Sequence, residues 1–180
     1  MHRRAIDVQV FAREDGFYEA EARLTDTKTR DLVVGGHPRA AGEALHDMVL
    51  TLVIDAQLNI LAARSESPAV PYAGRCDQHG DAYQRLVGLN LMKGFRAEVK
   101  ARLGGVLGCT HITELCSILP TAVIQGFAGV VIDTHEGKAS EQQPYQIDRC
   151  HALRSDGPVV QTFYPRWYRG TAPVPATSAS

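Results

Sequence analysis

The sequence predicts an α+β domain: a mostly antiparallel sheet of about four strands, built from two hairpins, followed by helices packed on one face. Three observations predict it. Apolar residues recur with a period of two through the first third of the chain, and the period lengthens to that of a helix after residue 80. Asp15-Gly16 separates the first two alternating runs, a strong hairpin signal. Proline and glycine cluster in 67–80, between the two regimes. Strands first and helices afterwards is the order of an α+β domain.

The first hairpin pairs IDVQVFA (6–12) with FYEAEARLTD (17–26). Val8, Val10 and Ala12 face one way. Tyr18, Ala20, Ala22 and Leu24 do likewise, opposite Glu19, Glu21 and Arg23. A loop with Gly35-Gly36-His37-Pro38 follows. His46 opens the second strand pair, in which Met48, Leu50, Leu52 and Ile54 alternate, and a turn near Ala56-Gln57 leads into LNILAARSE (58–66). Residues 67–80, SPAVPYAGRCDQHG, read as a surface loop.

Helical spacing begins with Tyr83, Leu86, Val87, Asn90 and Leu91 and resumes with Phe95, Val99 and Leu103. Gly94 separates these two short helices, and Gly104-Gly105 closes the second. A third helix is expected from Cys109 or Thr110 to about Ile132. Leu115, Ile118, Leu119, Ala122, Val123 and Phe127 would be buried, with a kink or break at Pro120. IDRCHALR (147–154) suggests a short helix or turn stopped by Gly157-Pro158. Residues 1–169 read as one domain and 170–180 as a disordered tail.

Composition excludes several classes. A chain of 180 residues with 44% apolar content can bury a core. The net charge of −1 supplies no basic excess for a nucleic-acid partner. The longest apolar run, 122–132, is interrupted by Gln125, Gly126 and Gly129 and falls short of the roughly 20 residues of a membrane span. The start MHRRAIDVQV has no apolar signal region, so a cytoplasmic location is expected. Cys76, Cys109, Cys116 and Cys150 would then be free thiols.

Several stretches together resemble the bacterial DUF2889 family, a domain of unknown function. They are His2-Arg3-Arg4, Asp15-Gly16, Asp26-Thr27-Lys28, His46-Asp47-Met48 and Gly94-Phe95-Arg96. Gly104-Gly105, Gly108-Cys109-Thr110-His111 and Glu114-Leu115 follow in order, then Cys150-His151-Ala152-Leu153 and Pro165-Arg166-Trp167-Tyr168. The resemblance implies one bacterial, cytoplasmic domain and no particular activity.

The side chains must therefore supply the function. GGVLGCTH (104–111) places a glycine turn before a helix, where free N–H groups and the helix dipole favour an anion. Cys109 there would be activated, or simply a small buried residue with Thr110 as the helix cap. His46 and His111 are candidate acid–base groups. Asp26 closes an apolar strand and can orient one of them. Arg4, on the neighbouring strand, can hold a substrate carboxylate or phenolate. Cys76 and His79 have the spacing of half a metal site, with no matching half.

These residues support a small-molecule catabolic enzyme working by metal-free acid–base chemistry, without a cofactor. It would be a lyase cleaving C–C or C–O bonds, or an isomerase, acting on a small aromatic or anionic substrate. His46, His111 and Asp26 would be catalytic, and Arg4, Gly108, Cys109 and Thr110 would bind substrate. A homodimer is expected from base rates. One alternative is a metal-dependent or metal-binding protein using His46, Cys109 and His111. Another is a non-catalytic binding or assembly module.

Overall fold

A computed structural model describes residues 1–134 and 142–170. Strands β1 (His2–Ala12) and β2 (Tyr18–Lys28) form the first hairpin. Its turn is closed by the Arg13 N–H donating to the Phe17 carbonyl at 2.9 Å, with Gly16 at φ +82°. That left-handed conformation is cheap only for glycine. Strands β5 (Ala44–Ile54) and β6 (Ile60–Ala69) form the second long hairpin. The sheet order is β1-β2-β5-β6 and every neighbouring pair is antiparallel. The four-stranded, two-hairpin sheet predicted from the alternation is what forms.

The loop after β2 carries one further hairpin. Strands β3 (Leu32–Val34) and β4 (His37–Arg39) pair across Gly35-Gly36, at φ +59° and +80°. Two consecutive positive φ values fit a two-residue hairpin turn. Strands of three residues are too short to show an alternation, so the sequence read this stretch as loop.

After β6 the chain forms a 3-10 helix (Gly80–Leu86) and helix α1 (Phe95–Leu103). Gly94, at φ +66°, precedes α1 as expected. Phe95, Val99 and Leu103 recur every four residues on its buried side. Helix α2 (Thr110–Phe127) passes through Pro120 and stops at Phe127, five residues before its expected end. Its buried residues are Ile112, Leu115, Cys116, Leu119, Val123 and Phe127, whereas Ile118 and Ala122 stay half-buried.

The helices cover the sheet face that carries Ala20, Ala22 and Leu24 of β2 and Met48, Leu50 and Leu52 of β5, all at most 1% exposed. A Cβ on Gly126 would stand 3.1 Å from the Val10 side chain, so α2 approaches β1 closely there. None of the helices among the described residues is long and apolar enough to cross a membrane.

The chain divides into two compact units, residues 1–126 and 127–180. In the second, Gln146 donates to Tyr164 Oη at 2.9 Å and to the Thr134 carbonyl at 2.7 Å. The short helix expected within 147–154 forms as a 3-10 helix (His151–Leu153) that ends before Gly157-Pro158, and the same pair also starts α3 (Pro158–Phe163). Proline lacks the N–H that a first helical position leaves unused. The stretch read as a disordered tail lies, from residue 171 on, outside the described residues.

Candidate metal centre

Strand pairing builds the site. Arg4 on β1 faces Asp26 on β2, and Asp26 faces His46 on β5. The three form one row across the sheet, on the side covered by the helices. Asp26 follows Ala20, Ala22 and Leu24 at intervals of two and is itself only 1% exposed. The β2–β5 register shifts immediately beyond Asp26, where Thr27 pairs with Ala44. Such irregularities re-aim side chains at the ends of sheets.

Helix α2 brings two more groups onto the row. His111 and Glu114 are three residues apart, hence neighbours on the helix surface. Tyr83 holds the turn that leads into this helix. Its hydroxyl accepts from the Cys109 N–H at 3.0 Å and lies 2.8 Å from the Cys109 carbonyl and 2.9 Å from Thr113 Oγ1. Burial pushes the Tyr83 hydroxyl up to about 12, so it stays protonated as an anchor. The Cys109 carbonyl takes the first helical hydrogen bond, from Thr113 at 2.9 Å, so Cys109 occupies the cap position expected of Thr110.

His46 Nδ1 lies 3.0 Å from Asp26 Oδ2, and His111 Nε2 lies 3.8 Å from the same oxygen. One ligand atom from each of Asp26, His46 and His111 falls within 4.8 Å of the others. Bonds of about 2.1 Å in a tetrahedron place ligand atoms roughly 3.4 Å apart, and the two carboxylate–imidazole separations, 3.0 and 3.8 Å, lie on either side of that spacing. The two rings stack with centroids 3.8 Å apart.

The electrostatics suit a cation. Burial alone would push the Asp26 carboxyl up. Hydrogen bonds and charge from Arg4, with His2 and His46, outweigh it and hold it below the usual aspartate value. Burial, then the neighbouring His111, lowers His46; burial, then Arg4, lowers His111. Both imidazoles are thus biased toward the neutral form, the one that coordinates metals. His2 Nε2 stands 3.1 Å from Asp26 Oδ1, the other carboxylate oxygen, and steadies the group from outside.

Arg4, Asp26, His46 and His111 therefore converge, with Cys109 beside them. Cys109 Sγ is 3.8 Å from His111 Nδ1, the ring nitrogen other than the one that approaches Asp26. In the expected metal set of His46, Cys109 and His111, Asp26 replaces the thiol. Gly108 and Thr110 shape the turn. A Cβ on Gly108 would lie 2.9 Å from the Leu103 carbonyl, and Thr110 is exposed. Cys76 and His79 do not join the cluster of Asp26, His46 and His111; His79 Nε2 is bound to Ser67 Oγ at 3.0 Å.

This convergence overturns the metal-free acid–base reading, and with it the cofactor-independent lyase or isomerase and the aromatic catabolism attached to it. A free general base presents its nitrogen to a substrate. Here one ligand atom from each of Asp26, His46 and His111 falls within 4.8 Å of the others, a grouping that could hold a metal ion. The sequence could not show it, because the three ligands are 20 and 65 residues apart on three elements. His2, Glu114 and Tyr83 were not singled out as site residues. His2 and Arg4 share the parity of the inward face, and Glu114 lies one turn from His111, so a signal existed for two of them.

The family model described as "Protein of unknown function (DUF2889)" matches residues 2–125, and the chain belongs to that family. The match contains His2, Arg4, Asp26, His46, His111 and Glu114, and ends before the stretches at 150–153 and 165–168. No curated protein and no solved structure matches the chain.

Proposed function

We propose that this protein binds a divalent transition-metal ion through Asp26, His46 and His111 and is a metal-dependent enzyme. The observation that carries this reading is the gathering of three ligand atoms within 4.8 Å from β2, β5 and α2. Two imidazoles and a carboxylate suit zinc, iron(II), manganese or cobalt better than calcium or magnesium, which prefer all-oxygen sites. Structural zinc sites close with four protein ligands, whereas catalytic sites use three and keep a position open. The three ligands found among the described residues support a site of the second kind.

When bound, the ion would polarise a substrate oxygen or lower the pKa of water at the open position. The protein's own residues do the rest. Asp26, 1% exposed, is fixed by Arg4 and His2 so that its Oδ2 stays directed at the two imidazoles. The Tyr83 anchor sets the first turn of α2 and with it the position of His111.

A chelator-competition titration with zinc tests the reading. The wild-type chain should take up one equivalent. His46→Ala and His111→Ala should each lose more than the roughly 10–100-fold that removal of an outer partner such as His2 costs. Equal affinity in wild type, His46→Ala and His111→Ala would place any bound zinc elsewhere and end the proposal.

A further inference from the structure

Resting on that metal site, the charges around it identify what its open position accepts. Asp26 and Glu114 each carry a negative charge, and Arg4 contacts both. The coordinating imidazoles are neutral. Asp26, Glu114 and Arg4 together carry one negative charge, and a divalent ion turns this into one positive charge. A singly charged anion at the open position brings the site to neutrality.

Arg4 has the donors to help hold it. Its guanidinium carries five N–H groups. Nε donates to Asp26 Oδ1 at 2.8 Å, Nη2 to Asp26 Oδ2 at 2.8 Å, and Nη1 to Glu114 Oε2. Two N–H groups, one on each terminal nitrogen, therefore have no partner among the described residues. The side chain is 32% exposed, so a ligand from solvent can reach it. The oxygen that Nη2 contacts is also the one both imidazoles approach. An ion about 2.1 Å from that oxygen lies within about 5 Å of Nη2. A carboxylate can span such a gap, with one oxygen toward the ion and the other toward the guanidinium, whose flat fork matches it. The N-terminus of α2, with His111 in its first turn, adds partial positive charge on the same side.

We propose that the substrate or ligand class of this site is a small monocarboxylate, bound jointly by the metal and Arg4. Arg4 is the specificity-determining residue, and Glu114 holds it in place.

The test uses the full chain loaded with cobalt(II) at pH 8, whose visible bands report the ligands. Acetate is titrated in, with acetamide as the neutral isostere. Acetate should shift the bands saturably and acetamide should not. Arg4 also holds Asp26, so Arg4→Met should bind cobalt about 10–100-fold more weakly; once saturated with cobalt, it should bind acetate about 10–100-fold more weakly than wild type, the effect of losing a charge-assisted hydrogen bond. Arg4→Lys, which keeps a cation without the fork, should fall between the two and guards against a folding defect in the first variant. Equal acetate affinity in wild type, Arg4→Lys and Arg4→Met overturns the inference, and so does an acetamide response matching that of acetate. Wild-type chain that takes up no cobalt refutes the metal site itself, an outcome distinguishable because the bands never appear.

Discussion

Replacing Asp26 by asparagine keeps the side chain's shape and removes the charge at the centre of the row. In the wild type, two hydrogen bonds from Arg4, each 2.8 Å long, end on this carboxylate. Bonds to charged groups contribute about 1.5–3 kcal/mol each. Two features reduce the loss. Arg4 is 32% exposed and keeps Glu114, so water and that partner recover part of it. Asparagine also retains one acceptor oxygen. A net loss of about 2 kcal/mol follows, or roughly 4–8 °C in Tm for a chain of this length. The pH dependence provides a second check. The folded-state pKa of Asp26 lies below its ordinary value, so its stabilisation is complete above about pH 4 and is lost as pH falls through the folded value. Urea unfolding with a metal chelator present, at pH 7 and pH 3, should therefore show the full difference between the two proteins at pH 7 and a smaller one at pH 3. A difference below about 0.5 kcal/mol at pH 7, the range of an ordinary surface change, would refute the reasoning. An undiminished difference at pH 3 would refute it equally.

Other outcomes follow from the same geometry. His46 and His111 are held below the ordinary histidine value of about 6.5, so the folded state binds fewer protons than the unfolded chain just below that pH. Apo-protein stability and zinc affinity should both fall as pH drops from 6.5 through the lower folded values; a zinc affinity constant from pH 8 to pH 5 would contradict histidine ligation. Tyr83→Phe strands the Cys109 N–H, at a cost of about 1–3 kcal/mol, and loosens the turn before His111. Chemical denaturation reads the stability loss, and faster labelling of the Cys109 thiol reads the loosening. Gly108→Ala forces a Cβ to within 2.9 Å of the Leu103 carbonyl and should cost about 1–3 kcal/mol, visible as a lowered Tm.

Much of the sheet was legible because two-residue periodicity survives burial. Ala20, Ala22 and Leu24 point Asp26 inward, and Met48, Leu50 and Leu52 point His46 to the same face by the same parity. Half of the row was also within reach. The Asp15-Gly16 turn is closed by Arg13 and Phe17, and counting outward from that pair sets Arg4 opposite Asp26. The other half was not. The register between β2 and β5 passes through residues 29–43, which fold into their own short hairpin, and it shifts at Asp26 itself. No turn chemistry in the sequence fixes that pairing.

The helical side was legible in type and less so in detail. The spacing of Phe95, Val99 and Leu103 found α1, and Gly94 found its start. The region before it reads as an α-helix by period but forms a 3-10 helix followed by a turn. There Leu89 and Leu91 make backbone hydrogen bonds with Ile60 and Leu58. Where β6 needs partners along its outer edge, that demand overrides local helical preference. The placement of His111 over Asp26 depends on how α2 lies on the sheet, and packing decides that beyond any local pattern. The glycine turn at 104–108 was recognised, but not its purpose, which is to let the Leu103 carbonyl and the Tyr83 hydroxyl come close behind His111.

The most direct measurement is elemental analysis of the untagged chain after purification without added metal or chelator, alongside Asp26→Ala, His46→Ala and His111→Ala. The account predicts about one equivalent of a transition metal in the wild type and a marked loss in each variant. A wild-type chain with no transition metal, which also fails to take one up on dialysis against zinc, would contradict it.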